Sequence, residues 1–493
     1  VTIIGAGAGG LAAAIDLARS GVGVTVLDRQ DRPGGKIRQV EADGTATDAG
    51  PTVFTMRWVF DALFADAGAS LTDHVQLQRT DLLARHAWSA TERLDLFADV
   101  DRSADAIAAF AGRDEAAAYR SFCQRAQRVY GTLEVPFIRA PRPTALSLTA
   151  RAGLRGLQSL RDASPFATLW HALGEHFRDP RLRQLFGRYA TYSGASPFQA
   201  PATLMLIAHV EQQGVWLVQG GMIRLADAMA ELATRHGAVL RHAAPVDEIL
   251  VHRGRAAGVH LANGERIASD AVVVNADCAA LAAGLFGPAV VPAVPRPDPT
   301  RRSLSAITWA LCAATSGFPL TRHNVFFSRD YAAEFDAIFR HNRIPAEPTV
   351  YVCAQDRGEA ESITDGAPGR LLVLINAPPI GDRRDFTAEE IAQCTQATFG
   401  LLASCGLTVR RRPETMRVTT PASFEKLFPA TGGALYGQTV HGAMAAFRRP
   451  GSRSAIPRLY LAGGSVHPGP GVPMAVLSGR LAAASLLADL AST

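Results

Sequence analysis

The stretch VTIIGAGAGGLAAAIDLARSGVGVTVLD, residues 1–28, decides the fold. Residues 1–4 read as a short buried strand, and a run of glycines follows. Residues 10–21 then read as a helix stopped by Gly21, and residues 24–27 as a second strand ending at Asp28. The segment Gly5-Ala6-Gly7-Ala8-Gly9-Gly10 fits G-x-G-x-x-G in the context that gives the motif meaning, directly after a strand and opening a helix. Gly5 is expected to make the tight turn, Gly7 to let the backbone approach a pyrophosphate, and Gly10 to let helix and strand pack closely. The pyrophosphate then lies at the positive end of the helix. Asp28 stands where a carboxylate accepts hydrogen bonds from a ribose hydroxyl. The alternative, a merely structural glycine turn, leaves Asp28 as an ordinary strand end.

The neighbouring stretches choose between NAD and FAD. DRPGGKIRQ, residues 31–39, sets a Gly-Gly pair and a cation shortly after the ribose acid, and TDAGPTVFT, residues 47–55, adds a second turn close to the far half of a cofactor. A long, extended FAD uses such contacts, whereas a nicotinamide dehydrogenase does not require them. An isoalloxazine ring also needs contacts from a distant part of the chain, and LYLAGGSVHPGPGVPMAVLS, residues 459–478, supplies a strand, a close-approach glycine pair and a helix start. The cofactor expected is FAD, bound without a covalent link.

At 493 residues, 48% hydrophobic and 19% charged, the chain is folded and too long for one compact core. Its formal charge of +5 is spread along the chain with no stripe of basic and aromatic residues, so a nucleic-acid partner is not expected. The six cysteines show no CxxC pair and no metal-ligand spacing, so no metal is expected, and they read as free thiols of a reducing compartment. The sequence starts directly inside a strand, so a signal peptide is not expected. Residues 303–321 are uncharged but diluted by Ser, Thr, Gly and Pro, and read as a strand and turn instead of a membrane span.

The two flavin-contacting regions lie at opposite ends of the sequence, which calls for a discontinuous cofactor domain. The division expected is 1–102, 210–290 and 450–493 for that domain, 103–209 for a mainly helical substrate-facing and membrane-facing region, and 291–449 for further substrate-domain strands and helices. Residues 245–277 read as a three-stranded meander with turns at Arg253-Gly254 and Asn263-Gly264. The fold class is α/β, a Rossmann-like FAD domain joined to an α+β substrate domain.

DRPGGK, DAGPT, WLVQGGM (216–222) and LYLAGG-x-x-HPGPG resemble the bacterial-type phytoene desaturases, FAD-dependent carotenoid desaturases and isomerases, through nearly the whole chain. SLSAITWAL (303–311), HNVFFSRDYAAEFDAIF (323–339), VYVCAQDR (350–357), LYGQTVHGAM (435–444) and HPGPGVPM (467–474) are most similar to the hydroxycarotenoid 3,4-desaturase branch, also called methoxyneurosporene dehydrogenases. Lys36 stands where that family commonly has Arg, and Asp28 where it commonly has Glu. The resemblance implies FAD contacts at Gly5, Gly7, Gly10, Asp28, Gly35, Lys36, Pro51, Gly464 and Met474, and at Val246, whose strand in related flavoproteins reads the adenine. It implies a 3,4-desaturation of an acyclic 1-hydroxycarotenoid by hydride transfer to flavin, with oxygen or a quinone as the electron acceptor. The competing expectations are another carotene desaturase or isomerase such as a phytoene desaturase, and a non-catalytic prenyl-lipid carrier on the same fold. A flavin amine oxidase activity fits less well, because an aromatic cage sits uneasily with 7% aromatic residues.

No catalytic side chain is assigned from sequence. His467 is the one candidate base, set against a loop-shaping role suggested by Pro468 and Gly469; Tyr436 and His441 lie in a segment expected near the pocket. A polyene substrate dissolved in the bilayer implies a cytoplasmic enzyme bound peripherally to an anionic membrane surface. Residues 138–161 carry Arg139, Arg142, Arg151, Arg155 and Arg161 and no acid, with Leu154, Leu157 and Leu160 at near-helical spacing. Residues 326–339 are the second candidate for that contact.

Overall fold

The computed structural model describes residues 1–141, 164, 166–358 and 366–492. Thr2–Ile4 and Thr25–Leu27 form as short parallel strands joined by the helix Ala8–Arg19, and five such strands assemble into one parallel sheet. The order across it is Leu459–Leu461, Val272–Val274, Thr2–Ile4, Thr25–Leu27 and Val239–Arg241. Ile3 stands in register with Val273 on one side and Val26 on the other. The central strands are buried on both faces, Ile3, Val26 and Val273 against helices on one side and Ile4, Leu27, Val272 and Val274 against the meander of residues 246–268 on the other. One sheet thus collects strands from the start, the middle and the end of the chain.

The helix Ala8–Arg19 is buried from Ala8 to Ala18, which explains its run of Ala and Gly: it is wedged between the sheet and the C-terminal helix Val472–Ala491. A Cβ placed on Gly479 of the latter would stand 2.0 Å from the Gly9 carbonyl oxygen. Arg480 fastens the same crossing, its Nε donating to Asp16 Oδ2 at 2.9 Å and its Nη2 to Asp66. Val472–Ala491 is, among the described residues, the one helix long and apolar enough to cross a membrane; here its apolar side packs on the first helix.

The meander forms as Val246–His252, Arg255–Leu261 and Arg266–Ala268, all antiparallel. Its first turn has Arg253 and Gly254 both at positive φ, the geometry of a tight hairpin whose twist matches its strands.

A second sheet of eight strands carries the other half of the molecule. Its longest strand, Ser305–Ser316, pairs antiparallel with Pro368–Ala377, and Val350–Ala354 and His323–Phe326 follow. Leu82–Ala87 then joins in parallel, with Asn324 opposite Arg85, and Arg93–Phe97 closes that edge. Residues 82–97 therefore lie in this sheet, and a cofactor-domain segment running to 102 includes two strands that pair elsewhere. Alternation along the strands separates two faces. Ile307, Trp309 and Leu311 pack with Phe399 and Leu402 of the helix Ala388–Ser404. Thr308, Tyr351, Leu372, Leu374 and Asn376 face an internal cavity. The helices Arg113–Leu133 and Leu206–Gln213 supply Leu133, Leu206, Ile207 and Val210 to the opposite wall, and Leu169–His176 and Pro180–Gly187 pack behind them.

Two surface expectations meet the structure here. Phe326, Phe327 and Phe335 are at most 3% exposed and feed the core, while Phe339 at the end of that segment is half-buried. Residues 142–161 of the basic segment lie outside the described residues; Arg139, which is described, pairs with Glu134 and covers the Trp58 ring.

Candidate functional site

The glycine loop does what its spacing requires. Gly5 takes φ +98°, a conformation L side chains rarely adopt, and its N–H donates to the Leu27 carbonyl at 2.7 Å. Gly7 precedes the first helical residue in extended geometry. A Cβ on Gly10 would stand 2.0 Å from the Gly5 carbonyl, so only glycine lets the helix start this close to the strand. A residue absent from the sequence reading completes the loop. Asn275, at the end of the strand Val272–Val274, donates from Nδ2 to the Gly5 carbonyl at 3.1 Å. Its Oδ1 would lie 2.7 Å from a Cβ on Gly9 and 2.8 Å from one on Gly463, so one amide fits between both glycine-rich loops.

Asp28 is buried, with Oδ2 accepting from the Ala6 N–H at 2.6 Å and Oδ1 from the Gln30 N–H at 2.8 Å. Each oxygen keeps acceptor capacity toward the cavity that Asp28 lines. The DAGPT turn is held from behind: Asp48 Oδ2 accepts from the Met222 N–H at 2.8 Å, which joins this motif to WLVQGGM. Lys36 reaches the Leu435 carbonyl at 2.6 Å and lies over the Phe428 ring. Burial pushes its ammonium below the usual lysine range, with Arg449 adding to the shift and Asp277 opposing it. Arg449, also missed in the sequence, donates to the carbonyls of Gly464, Tyr436 and Gln438 at 3.1, 3.1 and 2.8 Å, binding two cavity loops together. Burial lowers its guanidinium to about 10.

From the other end of the chain, Gly463 takes φ +105° and its N–H donates to Ser478 Oγ at 2.7 Å. The helix Val472–Ala491 begins after Gly471, and Val472, Pro473 and Met474 line the cavity, so its positive end points into the site. Gly5, Gly7, Asp28, Gly35, Lys36, Pro51, Val246, Gly464 and Met474 thus share one cavity; Gly10 stands behind it as a packing residue. This is a cradle for an extended dinucleotide. Glycine backbone, the Asp28 carboxylate and the start of the helix Val472–Ala491 line it together, an arrangement that fits the expected pyrophosphate, ribose and far half.

His467 does not join them. Its Nε2 lies 3.0 Å from the Phe137 carbonyl and 2.9 Å from that of Ala140, and its ring meets Phe137 edge-on. Pro468, not His467, lines the cavity. The imidazole is directed at the wall and secures the loop, so the candidate base is replaced by a structural role. His441 likewise accepts the Ser196 N–H at 2.9 Å and packs on Phe339, and burial lowers it to about 4; Tyr436 does line the cavity.

The cavity measures about 1390 Å³, beyond the ~300–1,000 Å³ of ordinary ligand sites. Past the dinucleotide half it is walled by Leu133, Phe137, Leu206, Ile207, Val210, Leu372, Leu374 and Phe447. A group of polar side chains interrupts this wall. Glu211 accepts from the hydroxyls of Tyr189 at 2.8 Å and Tyr192 at 2.9 Å, and burial raises its carboxyl. The Tyr351 hydroxyl meets Thr52 Oγ1 and His323 Nδ1, each at 2.7 Å, and burial lowers His323 to about 3, leaving a neutral ring. Among the described residues no group of three or more His, Cys, Asp or Glu is placed to hold a metal ion, and all six cysteines are free.

Comparison with known proteins agrees with this geometry. The family model for flavin-containing amine oxidoreductases matches residues 8–487. A hydroxyneurosporene desaturase of Rubrivivax gelatinosus is 56% identical over 494 residues, covering 100% of this chain and 94% of that protein. One of Cereibacter sphaeroides is 46% identical, covering 100% and 98%. A 4,4'-diapolycopene oxygenase of Methylomonas is 31% identical, covering 99% and 98%. Among solved structures, wild-type putrescine oxidase bound to putrescine shares the fold at TM-score 0.60 and 16% identity, covering 99% and 98%. Cyclohexylamine oxidase from Brevibacterium oxydans does so at TM-score 0.56 and 16% identity, covering 99% of each chain. The chain belongs to the flavin-containing amine oxidoreductase family, in its carotenoid desaturase branch.

Proposed function

We propose that this chain is an FAD-dependent carotenoid desaturase that introduces the 3,4 double bond into an acyclic 1-hydroxycarotenoid. The observation that carries the reading is the single cavity, continuous from a dinucleotide cradle into a long apolar chamber. FAD, when bound, supplies the acceptor for the hydride. The chain's own residues bind, orient and exclude water. Asp28 would accept from the ribose, the glycine loop and its helix start would hold the pyrophosphate, and the apolar walls would align a polyene in the chamber. Glu211 is already engaged by two tyrosine hydroxyls and His467 faces away, so the protein contributes position and dryness at the reacting carbons. We further propose a peripheral location on the cytoplasmic membrane surface, with oxygen or a quinone as the electron acceptor. Its support is the bilayer solubility of the substrate class, together with Val135 and Phe166, which are 68% and 87% exposed; Phe166 also lines the cavity.

The test is incubation of FAD-loaded protein with 1-hydroxylated acyclic carotenes in liposomes. A new conjugated double bond shifts the polyene absorption to longer wavelength, and the product should carry it at C-3,4. Protein that retains no flavin absorption band, or leaves the hydroxylated substrate unchanged with every acceptor supplied, overturns the reading.

A further inference from the structure

Arg188 is a cation set in the wall of the apolar chamber. It follows the helix Pro180–Gly187 at the start of a short 3₁₀ segment, and its guanidinium packs between the rings of Tyr192 and Tyr351 at 5.4 and 5.3 Å. A guanidinium carries five N–H donors in a fixed plane. Its one hydrogen bond among the described residues runs from Nη1 to the Tyr192 hydroxyl, at a long 3.3 Å. A second polar group in the same wall is also unspent. Tyr331 is 6% exposed and lines the cavity, and its hydroxyl has no hydrogen-bond partner among the described residues. Of the other phenols near Arg188, Tyr189 and Tyr192 are engaged by Glu211 and Tyr351 by Thr52 and His323, while Tyr436 is a further phenol on the cavity wall beside it. Leaving such groups without partners in apolar surroundings is costly. Arg188 therefore has the signature of a group whose partner is a ligand.

We infer that Arg188 is the residue that reads the tertiary hydroxyl of the substrate, the guanidinium donating to the hydroxyl oxygen. The inference rests on the proposed 1-hydroxycarotenoid reading and adds the residue that selects for it. The location suits the chemistry. C-1 is three bonds from C-4, so whatever holds the hydroxyl must stand next to the reacting bond and not at the far end of the chamber. Thr52, which bonds the Tyr351 hydroxyl, directly follows Pro51 in the turn facing the cofactor half, and Arg188 stacks on that same Tyr351. One aromatic ring separates the cation from the cofactor-facing turn. Arg188 is held in place indirectly by Glu211, which fixes the phenol that Arg188 touches. A site built to bond a hydroxyl rejects the analogue lacking it, because its polar groups are then buried unpaired.

The experiment compares wild type, Arg188→Met and Arg188→Gln on a pair of acyclic carotenes that differ only by the 1-hydroxyl. It reads kcat/KM and also polyene affinity from the absorption shift on binding. Wild type should prefer the hydroxylated carotene. Arg188→Met should lose on the order of 10- to 150-fold of that preference, and Arg188→Gln, which keeps a neutral donor, should lose less. The flavin spectrum should be unchanged in both variants, which also certifies folding; if Met fails to accumulate, the Gln variant alone decides by its loss of preference. A variant that keeps the full wild-type preference overturns the inference. So does an equal fall on both carotenes with a shifted flavin spectrum, which would assign Arg188 to the cofactor. Failure of wild type to convert either carotene sinks the functional reading instead.

Discussion

At the scale of single residues, the part of the site that was legible is the part fixed by local geometry. A strand, a turn and a helix start impose set distances, so Gly5, Gly7, Gly10 and Asp28 could be assigned from spacing alone. Asn275 could not, since it lies 270 residues from the Gly5 carbonyl that it bonds and no pattern near it announces the contact. His467 shows the converse limit: neighbouring a cofactor motif in sequence does not decide which side of the loop a ring faces. Asn275→Asp makes the amide's role measurable. The replacement is nearly isosteric, loses the donor to Gly5 and sets a carboxylate beside a carbonyl and the expected pyrophosphate. A loss of about 1–3 kcal/mol is expected in FAD binding, read as a weakened Kd by flavin fluorescence titration with the thermal midpoint lowered in step. Unchanged affinity would mean that the glycine loops hold their shape without the amide.

At the scale of elements, the periodicities gave the strands and helices, and partner choice was what they withheld. The meander from 246 to 268 is local, and its turns were readable from Arg253-Gly254 and Asn263-Gly264. The strands Leu82–Ala87 and Arg93–Phe97 find their sheet through Asn324, Val325 and Phe326, far along the chain, and nothing in residues 82–97 names that partner. The crossing of the first and last helices was equally invisible, since a glycine inside an apolar helix looks the same whether it faces space or backbone. Two substitutions separate these cases. Gly479→Ala puts a Cβ 2.0 Å from the Gly9 carbonyl and should destabilise by about 1–3 kcal/mol or more, because the packed backbone must shift. Gly400→Ala, exposed in the helix Ala388–Ser404 with nothing within 4 Å of the new methyl, should stabilise by roughly 0.5–1 kcal/mol. Thermal unfolding with FAD bound reads both; a Gly479→Ala midpoint at or above wild type would show that the two helices are not held at backbone contact.

At the scale of the whole molecule, the proposed membrane location asks for a way into the chamber from the surface. The described chain beside the basic segment already has this character. Phe166 is 87% exposed while lining the cavity, and Val135 is 68% exposed just before Phe137 and Ile138, which line it as well. Between these flanks run the arginines of 142–161, with no acidic residue among them. Basic residues near an anionic membrane contribute about 1 kcal/mol each, so reversing Arg151, Arg155 and Arg161 to Glu should cut sedimentation with anionic liposomes strongly. The attraction decays over a Debye length of about 8 Å at physiological salt, and raising the salt should therefore reproduce the variant's behaviour in wild type while the flavin band stays unchanged. Turnover of detergent-solubilised carotenoid should persist in the triple variant, because delivery is impaired and the cavity is not. Sedimentation of that variant equal to wild type would show that the arginines face water, and would move the entry point to the exposed apolar pair Val135 and Phe166 alone.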